Sequence, residues 1–191
     1  MPRFGRTPLP RSISRTAAAC SDVTLLVNNA GVNCNRPISD DAAQQNARDE
    51  MEVNYFGTME MCRRFGPVLG ANGGGAIVNM LSILARVNLP MIGTYCASKA
   101  ATLSLTQGVR AELAAQGTLV VAVMPAAINT RMGDMNPPPL EEPADVANAA
   151  LDAVEAGEED IYPGVVADGV SQGLAADPKG VEKQFAEYLP G

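Results

Sequence analysis

The chain has 191 residues, 47% of them apolar, and a formal charge of −7. That length suits one domain with a sizeable core, and the acidity argues against nucleic acid or an anionic membrane as a partner. There is no histidine, which removes Ser-His-Asp and Cys-His catalysis and every histidine-ligated metal site; proton transfer near neutral pH falls to a carboxylate or to a perturbed Tyr, Lys or Cys.

Residues 1–19 hold Arg3, Arg6, Arg11 and Arg15 and no acid, so residues 22–191 carry −11. This basic segment is expected to be poorly ordered and to stand apart from a domain over 20–191. Its composition resembles a mitochondrial transit peptide, which sets the mitochondrial matrix against the cytoplasm as location; the other account is arbitrary coding in place of a different N-terminal half. Cys20, Cys34, Cys62 and Cys96 show no paired metal spacing. They read as reduced thiols of a cytoplasmic protein, with no metal site. No apolar run approaches 20 residues, so no membrane span is predicted.

The apolar run 24–27 lacks alternation and suits a parallel strand covered on both faces. Ser39, followed by Asp40 and Asp41, opens a helix to about Phe65. Ala47, Met51, Asn54, Thr58 and Cys62 share one stripe of it, which makes Asn54 a polar residue on an inward face. Gly70, Gly73, Gly74 and Gly75 precede the next strand, 76–81, whereas a phosphate loop follows a strand and opens a helix; they form a plain connection. A helix carrying Tyr95 runs to about Gln116, the third strand covers 119–124, and Pro143 opens a helix that Gly157 stops. A short fourth strand lies within 160–164, and a last helix runs from Asp177-Pro178 to Tyr188. Strands alternating with helices imply a parallel sheet between helical layers.

Tyr95 and Lys99 stand four residues apart, on one face of their helix. The ammonium there is expected to lower the phenol's pKa, making Tyr95 a proton donor and acceptor near neutral pH. Ser82, thirteen residues upstream, can offer a hydroxyl to an oxygen on which charge develops. Cys96 is expected to be a small packed residue.

Together with Asn28-Asn29-Ala30-Gly31 at the end of the first strand and Asn54 in Asn54-Tyr55-Phe56-Gly57, this set resembles the short-chain dehydrogenase/reductase family. The resemblance runs from about residue 20 to about residue 164. It implies a Rossmann-like three-layer α/β/α fold with about four strands, the second half of a doubly wound sheet. The family's glycine-rich turn after a first strand is not found. The strand 24–27 is then expected to be an exposed apolar edge, a pairing hazard.

The resemblance further implies hydride transfer between NAD or NADP and a small carbonyl or alcohol substrate. Tyr95 is then the general acid in reduction and the base in oxidation. Lys99 assists it and holds the nicotinamide ribose, Ser82 orients the substrate oxygen, and Asn54 helps hold a water. Asn28, Ala30 and Gly31 lie against the adenosine side of the cofactor. Ile128 and Thr130 meet the nicotinamide amide and phosphates, with Ala126 in place of the usual Gly; Thr130 can equally cap a helix. Residues 131–140, with Met132, Met135 and three prolines, take the place of a substrate lid. A homodimer or homotetramer through the Tyr95 helix follows from the same likeness. The alternative is a non-catalytic relative, at most an oligomerisation partner, and a lyase or epimerase using the same Tyr-Lys pair is the runner-up among enzymes.

Overall fold

The computed structural model describes residues 9–133 and 139–189. Helix α1 (Leu9–Ala19) leads into strand β1 (Leu25–Asn28). Helix α2 (Ala43–Glu50) runs through a π-helical stretch (Met51–Gly57) into α3 (Thr58–Ala71). Strand β2 (Gly75–Met80), helix α4 (Gly93–Leu113) and strand β3 (Thr118–Val123) follow. Helix α5 (Pro143–Ala156), strand β4 (Asp160–Ile161), α6 (Val165–Ala176) and α7 (Pro178–Phe185) complete the order. The four strands pair in parallel in the order β1-β2-β3-β4. This is the predicted Rossmann-like α/β/α architecture.

One face of the sheet packs Leu26, Ile77 and Val120 against Cys62, Phe65 and Leu69 of α3, with Val109 and Leu113 of α4 joining them. The other packs Val78, Val121 and Val123 against Val146, Ala150 and Ala153 of α5. Strands buried on both faces carry continuous Val/Ile runs rather than alternation, which is why β2 and β3 were legible.

β1 differs. Leu26 and Asn28 are buried, whereas Leu25 and Val27, on the opposite face, remain 39% and 49% exposed. β1 is the sheet's edge, as expected from its lack of a neighbour.

Residues 9–19 form α1, whose Ala17 is buried in the α3 cluster with Ile13 and Cys20 beside it. Ile13, Ala17 and Cys20 recur at helical spacing and Arg15 faces solvent, so an amphipathic period lay beneath the basic composition. The second helix begins at Ala43 rather than at Ser39, because Asp40 folds a turn by accepting the Ala42 N–H at 2.8 Å. It also continues past Phe65 to Ala71, with Pro67 inside α3. Finally, α6 was not foreseen. Arg86, just after Ser82's turn, donates to the Ser171 hydroxyl of α6 at 3.4 Å and to the Tyr162 hydroxyl ahead of it at 2.6 Å.

The glycines before β2 are structural. A Cβ on Gly75 (φ 130°) would stand 2.2 Å from the Thr24 carbonyl oxygen, and one on Gly74 (φ 105°) 2.4 Å from that of Gly117. They let the chain squeeze between two neighbours. No described helix is long and apolar enough to cross a membrane, and the four cysteines are unpaired.

Candidate active site

Ser82, Tyr95 and Lys99 come together where β2 ends and α4 begins. Ser82 is extended (φ −168°) at the start of a short 3₁₀ turn, Ile83–Ala85, and its Oγ accepts the Leu84 N–H at 3.1 Å. That bond uses a lone pair and leaves the hydroxyl proton to be donated. Tyr95 and Lys99 are both buried on α4. Lys99 Nζ donates to the Met80 carbonyl at 2.9 Å and lies 5.7 Å from the centroid of the Tyr95 ring.

Electrostatics depart from the sequence expectation. Burial pushes the Tyr95 phenol well above its ordinary value, with smaller upward contributions from Cys96 and Glu50; the Ser82 hydroxyl is the influence that lowers it. The expected acidification by Lys99 is not what the fold produces. Burial instead moves Lys99 down to about 8. A desolvated ammonium is disfavoured for the same reason as a desolvated phenolate, so the pair keeps Tyr95 neutral and holds Lys99 closer to neutrality.

Asn54 lies in the π-helical stretch, a local widening of the helix often found at functional sites. Its Oδ1 accepts the Val32 N–H at 2.8 Å, and its Nδ2 donates to the Val32 carbonyl at 2.9 Å and to Ser98 Oγ at 2.8 Å. Both amide hydrogens are therefore engaged with the protein. Its backbone carbonyl is taken too, by the Thr58 and Thr102 hydroxyls at 2.8 and 3.1 Å.

The Asn28 side chain turns inward onto the neighbouring strand and helix. Its Nδ2 donates to Asn79 Oδ1 at 2.8 Å, and Asn79 donates to Thr106 Oγ1 at 3.0 Å. Ala30 is exposed and Gly31 half-buried. A Cβ on Gly31 would stand 3.4 Å from Asn54 Oδ1 and 3.6 Å from Lys99 Nζ, so this turn lies directly against the lysine.

Ile128 pairs with Glu141 in an isolated parallel bridge, and Thr130 is exposed beyond it. Thr130 starts a turn, with its carbonyl accepting the Gly133 N–H at 2.7 Å, rather than capping a helix among the described residues. Met135 and two of the three prolines of the expected lid lie outside the described residues. Cys96 is buried and burial raises its pKa, consistent with a packed thiol.

Sequence reading missed Glu50, Asn79 and Ser98. Asn79 and Ser98 join β1, β2, α4 and the π-helical stretch through buried hydrogen bonds. Glu50 is completely buried, and one of its oxygens accepts the Cys34 N–H at 2.8 Å. Thr58 and Cys62 of the predicted inward stripe are buried as expected, and Glu50 is buried with them.

The short chain dehydrogenase family model matches residues 7–139. A short-chain dehydrogenase of Penicillium crustosum is 40% identical over 112 residues, 58% of this chain and 40% of that protein. Among solved structures, a short chain dehydrogenase from Burkholderia cenocepacia in complex with NADP is 44% identical with a TM-score of 0.88, covering 95% of this chain and 75% of that one. A 7α-hydroxysteroid dehydrogenase complexed with NADH is 25% identical with a TM-score of 0.72, over 80% of this chain and 68% of that one. The chain thus spans about 40% of the length of the curated relatives it matches first. The family match begins at residue 7, just ahead of α1, and so includes that helix. With its parallel sheet and its Ser-Tyr-Lys cluster at the end of β2, the chain belongs to the short-chain dehydrogenase family.

Proposed function

We propose that the chain carries the proton-transfer site of an NAD(P)-dependent oxidoreductase acting on a small carbonyl or alcohol. The observation that carries this reading is the convergence of Ser82, Tyr95 and Lys99 around one end of β2, all three buried. In reduction, the Tyr95 hydroxyl gives its proton to the substrate oxygen while the carbonyl carbon takes a hydride; in oxidation the proton returns to Tyr95. Ser82, whose hydroxyl is hydrogen-bonded to Tyr95, orients that oxygen. The nicotinamide cofactor supplies or accepts the hydride when bound.

The residues present suit the nicotinamide–ribose end of such a cofactor. Lys99 offers a buried ammonium beside Tyr95, and the turn after β1 brings Gly31 to face it. Ile128 and Thr130 are candidates for the amide and phosphate contacts. Both NADP and NADH occur in similar structures, and nothing in Asn28, Ala30 or Gly31 chooses between them. The phosphate end is less well supplied: among the described residues no glycine-rich turn follows a strand and opens a helix.

That last observation favours the second reading, a non-catalytic partner for other chains of this family. Titrating NADH and NADPH into the purified chain, followed by nicotinamide fluorescence, separates the two. Saturation at micromolar cofactor supports the enzyme; no saturation at millimolar cofactor supports the partner role. Four unpaired cysteines suit a cytoplasmic location, and a homodimer or homotetramer through α4 is the expected assembly; size-exclusion chromatography with light scattering tests it.

A further inference from the structure

Glu50 is a buried carboxylate that the proton-transfer site does not use. It is 0% exposed, and its Oε2 has no hydrogen-bond partner. A half-satisfied buried carboxylate is costly, so its place on the helix calls for an explanation. It stands four residues before Asn54 on the continuous helical run. Glu50 Oε1 accepts the Cys34 N–H at 2.8 Å, and Asn54 holds both backbone groups of Val32 at 2.8 and 2.9 Å. The two side chains therefore grip the turn after β1 at alternate residues, 32 and 34. Gly31, the residue before this grip, faces Lys99: a Cβ there would stand 3.6 Å from Nζ. Within the turn, Asn33 Oδ1 accepts the Asn35 N–H at 2.8 Å, and Asn35 is left-handed (φ 52°).

We propose that Glu50 is a positioning residue. Its carboxylate is the second jaw of a clamp, with Asn54 the first, that fixes the turn after β1 and so holds Gly31 against Lys99. The part of this inference that concerns catalysis rests on the oxidoreductase reading; the clamp itself does not. Asn54 alone leaves the turn free to pivot about Val32, because both of its bonds to the turn go to one residue. A second point two residues on removes that freedom. Because the turn and Lys99 face the same space, loosening it is felt by any group that must lie against both.

The test compares Glu50→Gln, which keeps an acceptor, with Glu50→Met, which keeps the volume and removes it. Amide hydrogen exchange on the cofactor-free chain is the first readout. Glu50→Met is expected to speed exchange at Cys34 and Val32 by about tenfold or more while β2 and β3 amides stay protected, and Glu50→Gln to stay close to the parent. NADPH titration by fluorescence is the second, with an expected tenfold or so rise in Kd for Glu50→Met and rescue by Glu50→Gln. Unchanged exchange at Cys34 in Glu50→Met, or equal loosening in both variants, overturns the clamp. If the parent chain binds no cofactor, the oxidoreductase reading fails while the exchange data still decide the clamp. Should Glu50→Met not fold, Glu50→Asp, one methylene shorter, takes its place: loosening at Cys34 supports the clamp and parent-like exchange overturns it.

Discussion

Lys99 holds its Nζ 5.7 Å from the centre of the Tyr95 ring while donating to the Met80 carbonyl at 2.9 Å. The lysine is thus tied to the sheet and set over the aromatic face, and both members of the pair are out of water. Burial acts on them in opposite directions, up for the phenol and down for the ammonium. Both shifts favour the neutral forms.

Replacing Lys99 by Met is expected to stabilise the fold while abolishing cofactor binding. The folded-state pKa of Lys99 is lowered to about 8 from 10.5. Between those values the unfolded chain binds more protons, so stability rises with pH across the window and the burial penalty is complete below about pH 8. Relieving that penalty, less the hydrogen bond to Met80, is worth on the order of 1–3 kcal/mol at pH 7. Urea denaturation of both proteins at pH 7 and pH 9.5 checks it: Lys99→Met starts higher, and its advantage shrinks at the higher pH.

Tyr95 is expected to ionise late, because burial raises its phenol. Phenolate absorbance on alkaline titration should show a late step that Tyr95→Phe removes. A raised phenol pKa places its stabilising contribution below the ordinary value near 10 and loses it above. Tyr95→Phe should therefore be less sensitive to alkaline unfolding. If the chain turns over, the same substitution should lower kcat by about a hundredfold or more, because the proton donor is gone.

Asn79→Val tests the buried polar chain that joins the strands to α4. The substitution takes from Asn28 Nδ2 its acceptor at 2.8 Å, leaving it only Cys62 Sγ at 3.4 Å, and deprives Thr106 of a donor at 3.0 Å. Leaving such groups unpaired costs about 1–3 kcal/mol. Urea unfolding should show a lower midpoint with little change in slope.

Val27→Lys tests the exposed edge. Val27 is 49% exposed on the outer strand of the sheet, and a charge there opposes strand-to-strand association. Static light scattering at rising concentration should show less self-association for the variant, with unchanged circular dichroism. Equal scattering would mean that β1 is already protected.

The sequence announced the sheet and much of the site for local reasons. Val-rich runs at β2 and β3 are recognisable because parallel strands are buried on both faces, and Tyr95, Lys99 and Asn54 are recognisable because helical spacing sets which residues share a face. α1 was hidden because its apolar period, Ile13, Ala17 and Cys20 on one side, lies within a basic, acid-free composition. α6 was hidden because its docking depends on Arg86, far away in the chain. The direction of the Tyr95 pKa could not be read at all: spacing puts a cation nearby, but only packing decides how much water leaves with it. Likewise Glu50 is an ordinary acid in the string of residues 49–52. Tertiary structure made it a buried group by bringing the turn at Cys34 over it, because solvent exclusion depends on every neighbour at once, whereas periodicity depends on the residue's own helix alone.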